Sequence, residues 1–186
     1  MFTSLVVTVI GADRPGLVSL LSDCGKAHGA SWAESRMASL AGQFAGIVRF
    51  EVDAADAAPL AAALAALESA GLRVVIAEGR GTAHPADSRM LKLELVGHDR
   101  PGIVRDISRV LADSGVSIEQ LDTEIVSGAM SGGSLFQARA LLQVPRTVAT
   151  GELRRVLEAL ANELMVDIAL DDAAPRNAGR GTRRDA

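Results

Sequence analysis

The residues best suited to chemistry in this sequence sit in two matching hexapeptides. Gly11-Ala12-Asp13-Arg14-Pro15-Gly16 and Gly97-His98-Asp99-Arg100-Pro101-Gly102 share the pattern Gly-x-Asp-Arg-Pro-Gly, 86 positions apart. Each follows an apolar, β-branched run and precedes apolar residues at helical spacing, so each marks a passage from strand to helix. Gly11 and Gly97 would give the turn backbone angles closed to other residues. Asp13 and Asp99 suit a helix cap, accepting backbone N–H bonds at the second or third helical residue. Pro15 and Pro101 fall near the first helical position, where a missing N–H costs nothing. Gly16 and Gly102 leave the first turn without side-chain cover. An uncovered helix start offers free N–H groups to an anion such as a carboxylate. The neighbouring aspartate suits an ammonium group, and carboxylate plus ammonium describes a free α-amino acid. On these residues alone the plainer reading is a well-made helix start. Duplication does not choose between the two, because structure is duplicated along with function.

Other reactive side chains are weaker candidates. Cys24 is the one cysteine, so an internal disulfide and a zinc site on paired cysteines are both excluded. It falls at helical spacing with Leu17, Leu20 and Leu21 and reads as a small core residue. His28, four residues on, invites a Cys–His nucleophile pair. It adjoins the helix-ending Gly29, however, and no third group is evident to orient it. His28, His84 and His98 make no metal-binding spacing. No catalytic residue, metal or cofactor is expected. Gln120, Asp122 and Glu124 alternate to one face of a strand, as a solvated sheet face or a polar contact between domains. Ile118 and Ile125 fall on opposite faces by parity.

The elements that position these groups repeat. Residues 2–10, 31–40, 44–52 and 72–78 read as strands, with Gly46 as a possible bulge. Helices over about 16–28 and 55–70 lie between them, the second with Asp56 as cap and Pro59 in its first turn. The polar stretch 79–88 reads as a connector. The same β-α-β-β-α-β order then restarts, with strands at 91–97, 116–126, 134–144 and 165–170. Its first helix carries Ile103, Val104, Ile107, Val110 and Leu111 on one face, and its second spans 150–164. The expected fold is therefore α+β: two ferredoxin-like domains, each an antiparallel four-stranded sheet with two helices on one face. The expected limits are 1–79 and 90–171, joined by a linker at 80–89. A solvated tail follows over 172–186. Its four arginines could touch nucleic acid or an acidic partner, though against its aspartates a solvated tail is the plainer reading.

Bulk properties narrow the function. Hydrophobic residues make up 48% of the 186, so a real core can form. Aromatics are 3% and net charge is −4, leaving neither stacking platforms nor a basic surface for direct nucleic-acid binding. The N-terminal stretch lacks the features of a signal peptide, and no apolar run is long enough to span a membrane. A cytoplasmic protein without membrane contact is expected.

The β-α-β-β-α-β unit with Asp-Arg-Pro-Gly-(Leu/Ile)-Val opening its first helix resembles the ACT domain, a small-molecule sensing module. The tandem plan, together with Glu34-Ser35-Arg36-Met37 and Gln43-Phe44 on the first hairpin, resembles the glycine cleavage system transcriptional repressors. The resemblance covers about residues 3–170. It implies ligand binding at the repeated turn, in a cleft where two domains meet. The residues so implied are Gly11, Asp13, Gly16 and Leu17 in the first copy and Gly97, Asp99, Gly102 and Ile103 in the second. His98 replaces Ala12 and could hydrogen-bond a ligand, though an exposed turn histidine is the plainer reading. The implied function is an amino-acid sensor, with glycine as the suggested ligand, that controls transcription through a DNA-binding transcription factor. The alternative is a free-standing regulatory subunit of a metabolic enzyme. The Asp-Arg-Pro-Gly turn also resembles the N-terminal ACT unit of formyltetrahydrofolate deformylase, but too little chain follows residue 170 for a catalytic domain. Packing of the two copies on each other and a homodimer are expected from the way such sheets cover themselves.

Overall fold

The computed structural model describes residues 1–79, 87–127 and 133–173. It divides into two compact units, Met1–Ala83 and His84–Ala186. In the first, β1 (Phe2–Ala12), α1 (Leu17–Ala27), β2 (Ser31–Leu40) and β3 (Gln43–Asp53) are followed by α2 (Ala57–Ala65). A 3-10 turn over Ala66–Ala70 then leads into β4 (Leu72–Glu78). The second unit contains β5 (Ser88–His98), α3 (Ile103–Asp113), β6 (Ser117–Ser127) and β7 (Ser134–Pro145). It ends with α4 (Thr150–Leu164) and β8 (Val166–Asp172). The sheets are ordered β2-β3-β1-β4 and β6-β7-β5-β8, antiparallel throughout. Each unit has the ferredoxin-like plan. β5 opens at Ser88, inside the stretch read from sequence as a linker. Residues 80–86 of that linker, His84 included, lie outside the described residues, as do 128–132 of the second hairpin and 174–186 of the tail.

Period-2 alternation builds the helix-covered sheet face. Leu5, Val7 and Val9 of β1 and Phe44, Val48, Phe50 and Val52 of β3 meet Leu17 and Leu21 of α1 and Leu60 and Leu64 of α2. Trp32 on β2 packs edge-on against Phe50, ring centroids 5.3 Å apart. In the second unit, alternate residues of β5 and β7 meet Ile103, Ile107 and Leu111 of α3 and Leu153, Leu157 and Leu164 of α4. Val104, expected on the buried face of α3, is 41% exposed instead.

Two expectations about the sheets need correction. Gly46 is not a bulge: it pairs in unbroken register with Val9 and Met37. A side chain there would run into Met37, its Cβ landing 2.7 Å from Cγ, so the glycine makes room on the core face. The bulges lie in the edge strands, between Trp32 and Glu34 in β2 and between Ile118 and Gln120 in β6. The extra residue, Ala33 or Glu119, inverts side-chain parity downstream. Ile118 pairs with Leu142 and Ile125 with Phe136, so both isoleucines face the helices. Simple parity puts them on opposite faces because it takes no account of the bulge between them.

Candidate functional site

The repeated turn joins the central strand of each sheet to its first helix. Gly11 and Gly97 do not adopt the left-handed conformation expected of them. Close packing demands them instead. A Cβ on Gly11 would lie 2.5 Å from the carbonyl oxygen of Gly71, and one on Gly97 would collide with Val166. In both units the chain entering the last strand presses on this glycine.

The left-handed residues are Gly16, at φ 93°, and Gly102, at φ 101°, and they are the helix N-caps. Asp13 and Asp99 therefore do not cap: neither helix start receives a side-chain hydrogen bond. They sit three residues before the cap, still part of the strand exit. The Asp13 N–H donates to the carbonyl of Gly42 at 2.9 Å, and that of Asp99 to the carbonyl of Ser134 at 3.1 Å. Pro15 and Pro101 precede the cap and are not the first helical residue. The carbonyls of Gly16 and Gly102 accept the first helical bonds, from Leu20 and Asp106 at 2.9 Å each. The first-turn N–H groups are thus left without a protein cap, and a Cβ on Gly16 would meet nothing within 4 Å. Such a helix start carries partial positive charge and favours an anion.

Asp13, Pro15, Gly16, His98, Asp99, Pro101 and Gly102 are all exposed around these turns. Leu17 and Ile103 are buried in the cores, so their side chains anchor the helices. Three further residues shape the turns. The Arg14 guanidinium donates to the carbonyl of Ala70 at 2.8 Å, tying the first turn to the end of the 3-10 segment. Asp106 puts a carboxylate in the first turn of α3, where α1 has none. Its oxygen would be 3.7 Å from a Cβ on Gly102. Gly133, at the end of the second hairpin, is close enough that a Cβ there would meet the His98 ring at 3.7 Å. Arg14 is itself part of the repeated motif. The acidic first turn of α3 is also visible in the sequence, once the helix start is placed at Gly102 rather than at Asp99.

The Cys24–His28 pair has no catalytic geometry. The His28 Nδ1–H donates to the Cys24 carbonyl at 2.9 Å, not to its thiol. Burial pushes the thiol pKa up, away from the reactive thiolate. Gln120, Asp122 and Glu124 do share the helix-free face of β6, where Gln120 donates to Asp122 at 2.8 Å and Arg139 lies 3.6 Å from Glu124. Among the described residues no three His, Cys, Asp or Glu side chains gather as metal ligands. No described helix is long and apolar enough to cross a membrane.

Comparison with known proteins gives consistent results. The family profile of the ACT domain matches twice, over residues 3–76 and 89–171. A crystal structure of an unknown protein from Galdieria sulphuraria is 33% identical with a TM-score of 0.82, covering 94% of this chain and 100% of that one. A crystal structure described as a candidate glycine cleavage system transcriptional repressor superposes with a TM-score of 0.70 at 17% identity, over 94% of this chain and 99% of the other. Among curated proteins, a UPF0237 protein of Methanopyrus kandleri is 35% identical over 75 residues, which is 40% of this chain and 77% of that protein.

Proposed function

The chain belongs to the ACT domain family, and from that premise we propose that it is a regulatory protein that senses a free amino acid and controls transcription through a DNA-binding partner. One observation carries the reading. Each unit presents a helix start with a glycine N-cap, no side-chain cap and an exposed aspartate just upstream. The ligand carboxylate meets the N–H groups following Gly16 or Gly102, and its ammonium meets Asp13 or Asp99. Gly11 and Gly97 set the approach of the last strand, and Leu17 and Ile103 fix the helix behind the site. Glycine is the ligand that the likeness to the repressor fold suggests. A small ligand suits a turn with no side chain over it. The two turns differ in affinity. Asp106 competes with a carboxylate at the second, where His98 adds a hydrogen-bonding group that the first lacks, so glycine binds more tightly at the first. Binding regulates only if one arrangement of the protein takes the ligand better than another. A net charge of −4 supports action through a partner rather than on DNA.

Calorimetric titration of the full chain with glycine, serine and the other amino acids tests this reading. Saturable binding of one amino acid, weakened in Asp13→Ala more than in Asp99→Ala, is expected. No heat with any amino acid would overturn the sensor assignment. Capture of a metabolic enzyme instead of a transcription factor would redirect it to an enzyme's regulatory subunit.

A further inference from the structure

The two repeated turns open onto different surroundings. In the second unit, Val104 follows Ile103 at the start of α3 and is exposed. Leu121 and Ile125 of β6 face the helix side, 42% and 61% exposed. Val104 and Leu121 line one small cavity together with Ser108 and Phe136. Ile125 pairs with Phe136, which in turn pairs with Gly97 at the strand exit. These side chains form an apolar strip from the start of α3 along its flank beside β6. The nearby carboxylates point elsewhere. Asp122 and Glu124 lie on the other sheet face, and helical periodicity puts Asp106 on the opposite flank of α3. Among the described residues the first unit has no such strip. The corresponding positions of β2 are Ser35, opposite Val48, and Ser39, opposite Phe44. Met37 between them packs against the core, and Val18 is left exposed by itself.

We propose that the second turn senses an amino acid with a larger aliphatic side chain, of the leucine or isoleucine kind, while glycine remains the ligand of the first. The inference rests on the sensor reading and adds a second ligand to it. The ligand carboxylate takes the free N–H groups at the start of α3, that of Val104 among them, and the ammonium takes Asp99. The ligand Cα is then held beside the Val104 side chain, which leans toward the helix N-terminus as helical side chains do. From there the ligand side chain lies along Val104, Leu121 and Ile125, and both surfaces leave water. Each methylene covered multiplies affinity by roughly four. This gain offsets the competition from Asp106. Glycine has no side chain to lay on the strip and gains nothing from it. A polar side chain of the same length would leave its donors and acceptors unpartnered against Leu121 and Ile125, which lowers affinity. Polar groups thus hold the head of the ligand, and apolar contacts select its side chain, as in small-molecule sites generally.

Calorimetric titration of the full chain with leucine, isoleucine, glutamine and glycine tests the division. Leucine or isoleucine is expected to bind about tenfold more tightly than glutamine, and to do so with glycine already saturating, as a separate site requires. The double variant Leu121→Ser/Ile125→Ser copies Ser35 and Ser39 into the second unit. It is expected to weaken aliphatic binding about tenfold and to leave glycine binding unchanged. Ile125→Ser by itself, at the more exposed position, is expected to weaken it about threefold and keeps the test informative if the double variant misfolds. Glycine binding with no aliphatic binding would overturn this inference and leave the sensor reading standing. So would aliphatic binding that glycine displaces, or that both variants retain in full. No binding of any amino acid would remove the sensor reading and this inference together.

Discussion

The two units share one plan and hide their apolar surface differently. In the first, Trp32 and Phe50 fill the space between α1 and β2, and the exposed apolar residues collect on the helix-free sheet face. In the second, Ile118 and Leu142 take the corresponding bulge-side positions, and a small apolar cavity of about 20 Å³ remains beside Ile107, Ile118, Leu121 and Phe136. Its lining is apolar apart from Ser108, so a water there would find few hydrogen-bond partners. Leu121 and Ile125 then lie exposed along edge strand β6, on the helix side, while the opposite face is ionic. An aromatic pair thus fills this position in one domain, and a pair of aliphatic residues fills it in the other. Identical topology fixes where the hydrophobic effect can act. Side-chain volume decides where the surplus is left.

The sharpest way to break this contrast is to remove the aromatic. Phe50 is 1% exposed, and Phe50→Ala is expected to destabilise the first unit by about 3–5 kcal/mol. Leu142→Ala in the second unit removes a smaller buried side chain and is expected to cost less, about 2–3 kcal/mol. Chemical denaturation of both variants makes the comparison, and an equal or reversed order would refute it. Next come the motif glycines. Gly11→Ala drives a methyl into the backbone carbonyl of Gly71, and Gly97→Ala drives one into the Val166 side chain. Each is expected to lower stability by about 1–3 kcal/mol through overpacking. Shortening Val166 to alanine should partly restore Gly97→Ala, whereas no side-chain change rescues Gly11→Ala. Thermal melts of the single and double variants would show it.

A smaller effect separates the turns themselves. Arg14→Ala removes the bond to the Ala70 carbonyl and is expected to cost about 1 kcal/mol, read as faster amide exchange over residues 66–72. The smallest concerns the ionic face. Lys92 beside Glu94, first by its hydrogen bond and then by its charge, holds that carboxyl below the usual glutamate range. A depressed folded-state pKa stabilises above the unfolded value, and the contribution is lost as pH falls through the folded one. Lys92→Met should return the Glu94 pKa toward normal in an NMR titration. An unmoved value would assign the depression to Arg139.

The duplicated hexapeptide and the order of elements make the fold readable from sequence. The features that residue types alone misplace share a cause. Asp13 looked like a cap because Asp is a common one, but a cap is defined by where the chain turns into the helix, and the glycine at position 16 does that. The bulges at Ala33 and Glu119 carry no residue signature. They show only when the strands are paired, since register is a property of two strands and not of one. The glycine at each helix start and the apolar Leu17 and Ile103 after it were readable as types and positions, whereas the missing side-chain cap was not. The reach of Arg14 to Ala70 depends on folding distant segments together.

Those bulges also bear on solubility. Both interrupt outer strands, β2 and β6, whose open rims would otherwise offer a regular row of donors and acceptors to any passing extended chain. The opposite rims, β4 and β8, run for seven residues each. A kinked rim on one side and a short one on the other are poor templates for ribbon growth. Edges of this kind resist the strand-by-strand addition that extends a sheet from one molecule to the next.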